Sequence, residues 1–213
     1  FSFAEGPELE SEYYNFDALN FPKDHPTRDM QDTFFIKDKQ GFVMRTHTSN
    51  TQVRYMENHK PPIRIIVPGK VFRNEATDAT HEMQFYQLEG LMVGEGVSLA
   101  HLKGVLTQFF KEFFKGEVEI RFRPSFFPFT EPSVEVDFRT NALDAPERLR
   151  GRWIELMGAG MVHPNVLRAG KIDPEKYSGF AFGMGIERLA MPYFGIDDVR
   201  LFYSGDLRFV NQF

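Results

Sequence analysis

Two strand-like segments on either side of a short polar turn carry side chains that could bind a charged ligand. The first holds Arg73 and Glu75, and the second holds Phe85, Gln87 and Glu89. Side chains alternate across a strand, so the two residues of the first segment share one face, and the three of the second share another. If these faces coincide, one patch of sheet gathers cationic, anionic, amide and aromatic groups. Because unpaired buried charge is costly, the pattern indicates either a solvated face with cross-strand ion pairs or a site for a charged polar ligand.

A glycine-rich strand that leads into a helix, "GFAFGMGIER" at 179–188, is the second candidate. Its glycines allow a ligand to approach the backbone closely. It is not a dinucleotide-binding fingerprint, because no third glycine follows Gly183 and Gly185 and the flanks do not form a βαβ unit. In the first turn of the helix, Arg188 could hold an anion with the help of backbone amides, or it could form a surface salt bridge with Glu187.

Two phenylalanines and a glutamate in "SFFPFTEPS", at 125–133, form the third candidate. Phe127 and Phe129 fall on one side of a strand, and Pro128 marks an edge or an irregular segment. The pattern indicates either core packing or an apolar slot, with Glu131 at its rim as a ligand for a divalent cation.

Other catalytic patterns are weak or absent. His81 and Glu82 do not belong to an HExxH zinc motif, because position 85 is Phe. His47, within "RTHTS", is by itself more typical of a structural histidine. A carboxylate pair for glycoside cleavage stays open, although it would leave the arginines unexplained. The absence of cysteine excludes disulfides and thiolate chemistry.

The bulk composition fits one globular domain with a substantial core, since the 213 residues are 42% hydrophobic and 26% charged. The net charge of −5 gives no basic footprint for nucleic acid, although a local basic surface or a partner could supply those contacts. No apolar run approaches the roughly 18 residues of a membrane span. We therefore expect a cytoplasmic protein without membrane contacts. Because the chain starts at Phe1 without an initiator Met, we also expect a fragment of a longer chain.

The elements that must position these residues follow one another in hairpin-like succession. This order predicts an antiparallel β-sheet flanked by helices, an α+β domain. Predicted strands cover 42–49, 63–75, 84–94, 118–127, 132–139, 151–160 and 178–185. Predicted helices cover 49–59 with Ser49 or Asn50 as N-cap, 98–116 from Ser98 to Gly116, a short segment opened by His163 and Pro164, and 186–195 ended by Pro192 and Gly195, while 8–19 is weakly helical.

Several segments, in a consistent order, resemble one family. "FRNE" and "GFAFGMGIERLAM" resemble motifs 2 and 3 of class II aminoacyl-tRNA synthetases, and "FAEGPE" resembles motif 1. "HPTRDMQDTFF", "RTHTSNTQVRYM", "TDATHEMQFYQLEG", "FFPFTEPS", "GAGMVHPNVL" and "DLRFVNQF" resemble the catalytic α subunits of bacterial phenylalanyl-tRNA synthetases. The resemblance covers nearly the whole chain. It implies one class II catalytic domain over residues 1–213, with the helical tRNA-binding arm of the family lying N-terminal to them.

The resemblance also implies a reaction and a role for each candidate residue. Phenylalanine and ATP would form phenylalanyl-adenylate and pyrophosphate, and the phenylalanyl group would pass to the 3′ end of tRNA(Phe). Arg73 would hold the α-phosphate and Arg188 the outgoing phosphates, which is electrostatic catalysis. The implied ATP site is Arg73, Glu75, His81, Phe85 and Arg188; the implied phenylalanine site is His47, Ser49, Gln87, Glu89, Phe127, Phe129, Ala181 and Gly183.

Metal and partner follow from the same resemblance. Glu131 matches the family position for a Mg²⁺ ion shared with a β subunit, in an (αβ)₂ heterotetramer. An apolar pocket discriminates phenylalanine from tyrosine by only about 10–200-fold, so we expect editing of mischarged tRNA, which the family places on the β subunit. Gln31 stands where relatives often carry an aromatic residue or His, and the stretch 141–150 is longer than the usual turn; neither receives a role.

Two alternatives stay open. An organellar single-chain synthetase shares the motifs but continues into an anticodon-binding domain. A synthetase-like module could bind an amino acid or a partner without activating it. The presence of Arg73, Glu75 and Arg188 together argues against the module, which has no need of all three.

Overall fold

The computed structural model of the protein describes residues 1–114, 118–140 and 150–213. The predicted helix end at Gly116 lies outside these residues, as does the charged stretch 141–150 except for Arg150.

The described chain contains the elements predicted from the sequence together with others, among them β2 and α6, that were not predicted. The strands are β1 (Ser2–Phe3), β2 (Leu9–Ser11), β3 (Phe42–Met44), β4 (Ile63–Phe72), β5 (Gln84–Gly94), β6 (Val118–Phe127), β7 (Thr130–Thr140), β8 (Ile154–Val162) and β9 (Ser178–Gly185). The α-helices are α1 (Glu12–Asn15), α2 (Ser49–Asn58), α3 (Leu99–Phe113), α4 (Pro164–Ala169), α5 (Ile186–Phe194) and α6 (Leu207–Val210). Short 3₁₀ helices cover Asp17–Leu19, Pro26–Arg28 and Val199–Tyr203.

Seven strands form the main sheet, in the order β1-β4-β5-β9-β8-β7-β6. β1 is parallel to β4, and every other neighbouring pair is antiparallel. β2 and β3 form a separate antiparallel pair. The predicted α+β class, an antiparallel sheet with helices, is confirmed.

The rear face of the sheet is covered by α3. Leu102, Leu106 and Phe110 recur at a spacing of four residues, so they share one stripe of the helix, and all three are buried. They pack in one cluster with Phe138 of β7 and Phe180 of β9. Ser98 caps this helix in a capping box with His101, as its position before the apolar run indicates.

The front face is divided into an apolar half and a polar half. α2 and the N-terminal elements cover the apolar half, where Val53 and Met56 pack in one cluster with Ile63 and Ile65 of β4. The polar half carries the candidate residues and remains open. The sheet therefore has a closed core on one side and an accessible floor on the other.

Some predicted boundaries in the N-terminal part of the chain are wrong. The strand predicted for 42–49 ends at Met44. The Arg45 N–H still donates to Glu8 O, but the Arg45 side chain donates to Lys70 O in β4. Thr48, and not Ser49 or Asn50, is the N-cap residue of α2. The weakly helical segment 8–19 divides into β2, α1 and a 3₁₀ turn.

The helix predicted for 186–195 is confirmed as α5, but Pro192 does not end it. Pro192 lies inside α5, and the helix ends at Gly195, whose φ of 70° is left-handed. Proline removes one backbone donor, which is tolerated close to a helix end, whereas the left-handed glycine terminates the ladder. Within the described residues, no helix combines the length and the hydropathy that a membrane span requires.

Candidate functional site

A cleft of about 570 Å³ opens on the polar half of the front face. Thirteen of the fourteen residues singled out in the sequence line it: His47, Ser49, Arg73, Glu75, His81, Phe85, Gln87, Glu89, Phe127, Phe129, Ala181, Gly183 and Arg188. They come from α2, from the β4–β5 hairpin, from the β6–β7 turn and from the β9–α5 junction. The sheet order explains this convergence, because β9 lies between β5 and β8.

The floor of the cleft is made of glycine backbone. Gly183 of β9 pairs with Glu89 of β5 on one side and with Gly158 of β8 on the other. A Cβ atom at Gly158 would lie 2.7 Å from Cζ of Phe127, and one at Gly183 would lie 3.0 Å from Cγ of Glu89. The absent side chains thus allow a phenyl ring and a carboxylate to lie directly on the sheet.

One end of the cleft presents a cation that has no carboxylate partner in the described part of the chain. Arg73 lies just beyond β4, where its N–H donates to Met83 O. Its Nε donates to Thr46 O at 3.2 Å, and its Cζ lies 5.0 Å from the centroid of the Phe85 ring. Burial lowers the pKa of this guanidinium, Glu75 opposes that change, and the Arg188 charge lowers the pKa further. Such a group is available to an anionic ligand.

A carboxylate held by three donors lies deeper in the cleft. Glu89 accepts hydrogen bonds from the Thr48 N–H at 3.2 Å, from Ser49 Oγ at 3.0 Å and from Gln52 Nε2 at 2.6 Å. Burial raises the pKa of Glu89 to about 7, although these hydrogen bonds act in the opposite direction. A cationic group placed against it would restore its charge. Gln52 was not among the predicted site residues, although helical spacing places it on the same face of α2 as Ser49.

Two polar side chains in the cleft have buried atoms without a partner among the described residues. Both ring nitrogens of His47 and Oε1 of Gln87 lack a hydrogen bond. Burial, with the Arg73 charge adding to it, lowers the pKa of His47 to about 3, so the imidazole is neutral. Buried polar atoms are normally paired, so these atoms are available to a ligand.

An aromatic wall closes the apolar end of the cleft. The Phe127 and Phe129 rings are stacked with centroids 5.8 Å apart, and Phe21 contacts Phe129 at 5.7 Å. Phe21 also stacks on His47 at 6.0 Å. Phe21 was missed because its loop reaches the sheet only through tertiary packing.

The rim residues have separate partners. His81 Nδ1 lies 3.1 Å from both carboxylate oxygens of Asp78. One alternative from the sequence, a surface salt bridge between Glu187 and Arg188, is wrong. Glu187 is buried and accepts hydrogen bonds from Tyr86 N–H and from Tyr203 Oη.

Glu131 lies apart from the cleft lining. Its carboxylate is 76% exposed, and His163 Nε2 lies 3.6 Å away. No group of three or more His, Cys, Asp or Glu residues in the described part of the chain could hold a metal ion. An exposed carboxylate of this kind fits a cation site only when other oxygen ligands complete it.

Comparison with known proteins identifies one family. The chain matches the family described as "tRNA synthetases class II core domain (F)" over residues 1–213. Relatives named phenylalanine–tRNA ligase alpha subunit include those of Caldanaerobacter subterraneus subsp. tengcongensis, 56% identical over 216 residues, and of Alkaliphilus metalliredigens, 57% identical over 216 residues. The protein of the same name from Psychrobacter arcticus is 56% identical over 213 residues.

Each alignment covers 100% of this chain, but only 63%, 63% and 58% of the three relatives, respectively. The chain therefore spans about three fifths of the length of the curated relatives that it matches.

Proposed function

The chain belongs to the family of class II tRNA synthetase core domains, and from that premise we propose that it activates L-phenylalanine with ATP and transfers the phenylalanyl group to the 3′ end of tRNA(Phe). The observation that carries this proposal is one cleft with a guanidinium at one end, which has no carboxylate partner among the described residues, and a stacked aromatic wall at the other end. The relatives' names, phenylalanine–tRNA ligase alpha subunit, agree with it.

The cationic end suits the nucleotide. Arg73 holds the α-phosphate while the phenylalanine carboxylate attacks phosphorus and pyrophosphate leaves. Its fixed charge stabilises the negative charge that develops there, with no proton transfer. Phe85 stacks on the adenine and Glu75 accepts from the adenine amino group. His81 and Arg188 hold the outgoing phosphates.

The deeper half suits the amino acid. The ammonium group lies against Glu89, with Ser49, Gln87 and His47 as further polar partners. The unpaired atoms of the last two become satisfied when substrate is present.

The side chain of the substrate occupies the apolar end. Phe127 and Phe129 form its wall, and ring contacts of this kind contribute about 0.5–1.5 kcal/mol each beyond area burial. Ala181 and Gly183 form the far end of the pocket.

We extend the proposal to metal and partners. Mg²⁺ bound to ATP would neutralise phosphate charge, since this ion prefers phosphate and carboxylate oxygens. A further Mg²⁺ would lie at Glu131 with ligands from a β subunit, which suits the exposure of this carboxylate. The assembly is an (αβ)₂ heterotetramer in the cytoplasm, and editing of mischarged tRNA belongs to the β subunit.

Phenylalanine-dependent exchange between pyrophosphate and ATP tests the proposal. The full-length chain is co-purified with its partner subunit, and exchange is measured with phenylalanine, with tyrosine and with no amino acid. We expect strong exchange with phenylalanine alone. A complex that binds ATP but gives no exchange with any amino acid would instead support the non-catalytic module.

A further inference from the structure

We propose that Glu187 is a positioning residue that fixes the placement of Phe85 relative to Arg188 in the nucleotide half of the cleft. The inference rests on the proposed function, because it assigns this carboxylate a part in binding ATP. Glu187 touches neither of the two side chains through a hydrogen bond; it acts on the backbone that carries them.

The position of Glu187 at the end of a strand ladder gives the first argument. The pairing of β5 with β9 ends at Gln87 and Gly185, and the chain then turns into α5. The next N–H of β5, that of Tyr86, therefore has no strand partner on this side. Oε1 of Glu187 accepts it at 2.8 Å. The carboxylate thus continues the ladder by one hydrogen bond and fixes the point where the helix leaves the sheet.

A second contact ties the same carboxylate to the C-terminal segment. Tyr203 donates its phenolic hydrogen to Oε1 of Glu187. Burial, with this hydrogen bond adding to it, raises the pKa of Tyr203, so the phenol remains a donor. Tyr203 ends the 3₁₀ helix that begins at Val199, and the Val199 N–H donates to Ala79 O in the β4–β5 turn. Glu187 therefore links α5, β5 and, through this helix, the turn that carries His81.

Phe85 and Arg188 depend on this junction because they flank one backbone position. A Cβ atom at Gly185 would lie 3.8 Å from Cδ2 of Phe85 and 3.8 Å from Cγ of Arg188. Phe85 directly precedes Tyr86, and Arg188 directly follows Glu187. A shift of the helix start would consequently change the distance between the ring and the guanidinium. Glu89 lies inside the paired region, two residues beyond its last pair at Gln87, so the carboxylate of the amino-acid half does not depend on the junction.

The unfavourable burial of the Glu187 carboxylate also favours a functional role for this residue. Glu187 is only 6% exposed, and its Oε2 has no hydrogen-bond partner among the described residues. A half-satisfied buried carboxylate does not favour stability.

Steady-state exchange kinetics of Glu187→Ala, in the full-length chain with its partner subunit, test the proposal. We expect the KM for ATP to rise at least about tenfold, as for loss of a hydrogen bond to a charged group. The KM for phenylalanine should stay within about twofold, because the Glu89 site is held by other bonds. Glu187→Gln keeps an acceptor for the Tyr86 N–H and should recover most of the ATP affinity.

Glu95→Ala, which removes an exposed glutamate just beyond the other end of β5, is the matched control and should leave both KM values unchanged. If Glu187→Ala does not fold, Glu187→Asp withdraws the carboxylate by one methylene and should show the same split. Equal changes in both KM values, or a lower melting temperature with unchanged kinetics, would reduce Glu187 to a structural residue. Absence of phenylalanine-dependent exchange in the unmodified complex would instead refute the proposed function itself.

Discussion

Arg73 and Glu89 bring opposite charges into one cleft, yet neither neutralises the other. Among the described residues, the guanidinium of Arg73 donates only to a backbone carbonyl, and the carboxylate of Glu89 accepts from three neutral donors. Both groups therefore retain the capacity to bind charge of the opposite sign. This separation suits a substrate pair with a phosphate at one end and an ammonium group at the other.

Arg73→Ala should lower the phenylalanine-dependent exchange rate by at least about 10²-fold, because it removes a main cation of the transition state. Stability should change little, since the guanidinium forms no salt bridge with a described carboxylate. Arg64→Ala, at an exposed position of the preceding strand β4, is the control and should exchange normally. An exchange rate of Arg73→Ala close to that of the unmodified protein would show that the hairpin does not hold the reacting phosphate.

The pKa of Glu89, raised to about 7, predicts a pH dependence of phenylalanine affinity. The ammonium group needs the charged carboxylate, so affinity should fall by up to about tenfold for each pH unit below 7. His47, with a pKa of about 3, does not titrate in this range. Calorimetric titration from about pH 5.5 to about pH 8 measures the effect.

Glu89→Gln is the control for this titration, and it should bind weakly with a flat profile. In the absence of ligand, the contribution of Glu89 to the free energy of unfolding has the opposite pH dependence to the phenylalanine affinity. A raised pKa favours the folded state fully below the ordinary value of 4.5, and that contribution is lost as the pH rises through about 7. A wild-type affinity that is flat across the range would exclude Glu89 as the ammonium ligand.

Among the strands, β8 makes room for the aromatic wall because Gly158, which has no side chain, lies beneath the Phe127 ring. Gly158→Ala should displace the Phe127 ring, because the added Cβ would lie 2.7 Å from its Cζ. We expect the KM for phenylalanine to rise about tenfold, equivalent to about 1.4 kcal/mol, with the KM for ATP unchanged. Gly104→Ala in α3, where the added Cβ meets nothing within 4 Å, is the matched control. Unaltered phenylalanine kinetics would mean that the ring does not contact the substrate.

The elements were largely readable from the sequence, and their exceptions have physical causes. The bounds of β5, β6 and β9 match the predicted strands, and in β6 half-buried and exposed positions largely alternate, as the sequence pattern indicates. The strand predicted for 42–49 fails after Met44, because the buried side chain of Arg45 crosses to other backbone groups. Local pattern carries no information about such distant acceptors.

The candidate site was readable where its residues stand in recognisable segments. Gln52 was not predicted, and Glu187 was predicted only as a surface partner of Arg188. Their contacts, to Glu89 and to the Tyr86 N–H, join positions 37 and 101 residues apart. Helical spacing from Ser49 could have identified Gln52, whereas no spacing rule connects a carboxylate to a strand end so far away.

For the whole molecule, the two faces of the sheet separate stability from binding. Phe110 is fully buried behind the sheet, so Phe110→Ala should lower the free energy of unfolding by about 3–5 kcal/mol. At a temperature where the variant is folded, its exchange kinetics should stay near normal, because the front face carries the cleft. Denaturant unfolding measures this loss. The reference variant is Gln108→Ala, at an exposed position of the same helix. A change in KM that corresponds to a free-energy change as large as the loss of unfolding free energy would show that the two faces of the sheet are coupled.

The glycine floor, formed by Gly183 of β9 and Gly158 of β8, lies beside Glu89 of β5, which is far from the other two strands in the chain and is joined to them in the folded sheet. A substrate lying across it can bind only after these three strands have assembled. Occupancy and unfolding are then thermodynamically linked, and each tenfold excess of ligand over its Kd should add about 1.4 kcal/mol to the free energy of unfolding. The amide hydrogens beneath the floor should accordingly exchange more slowly as the cleft is saturated.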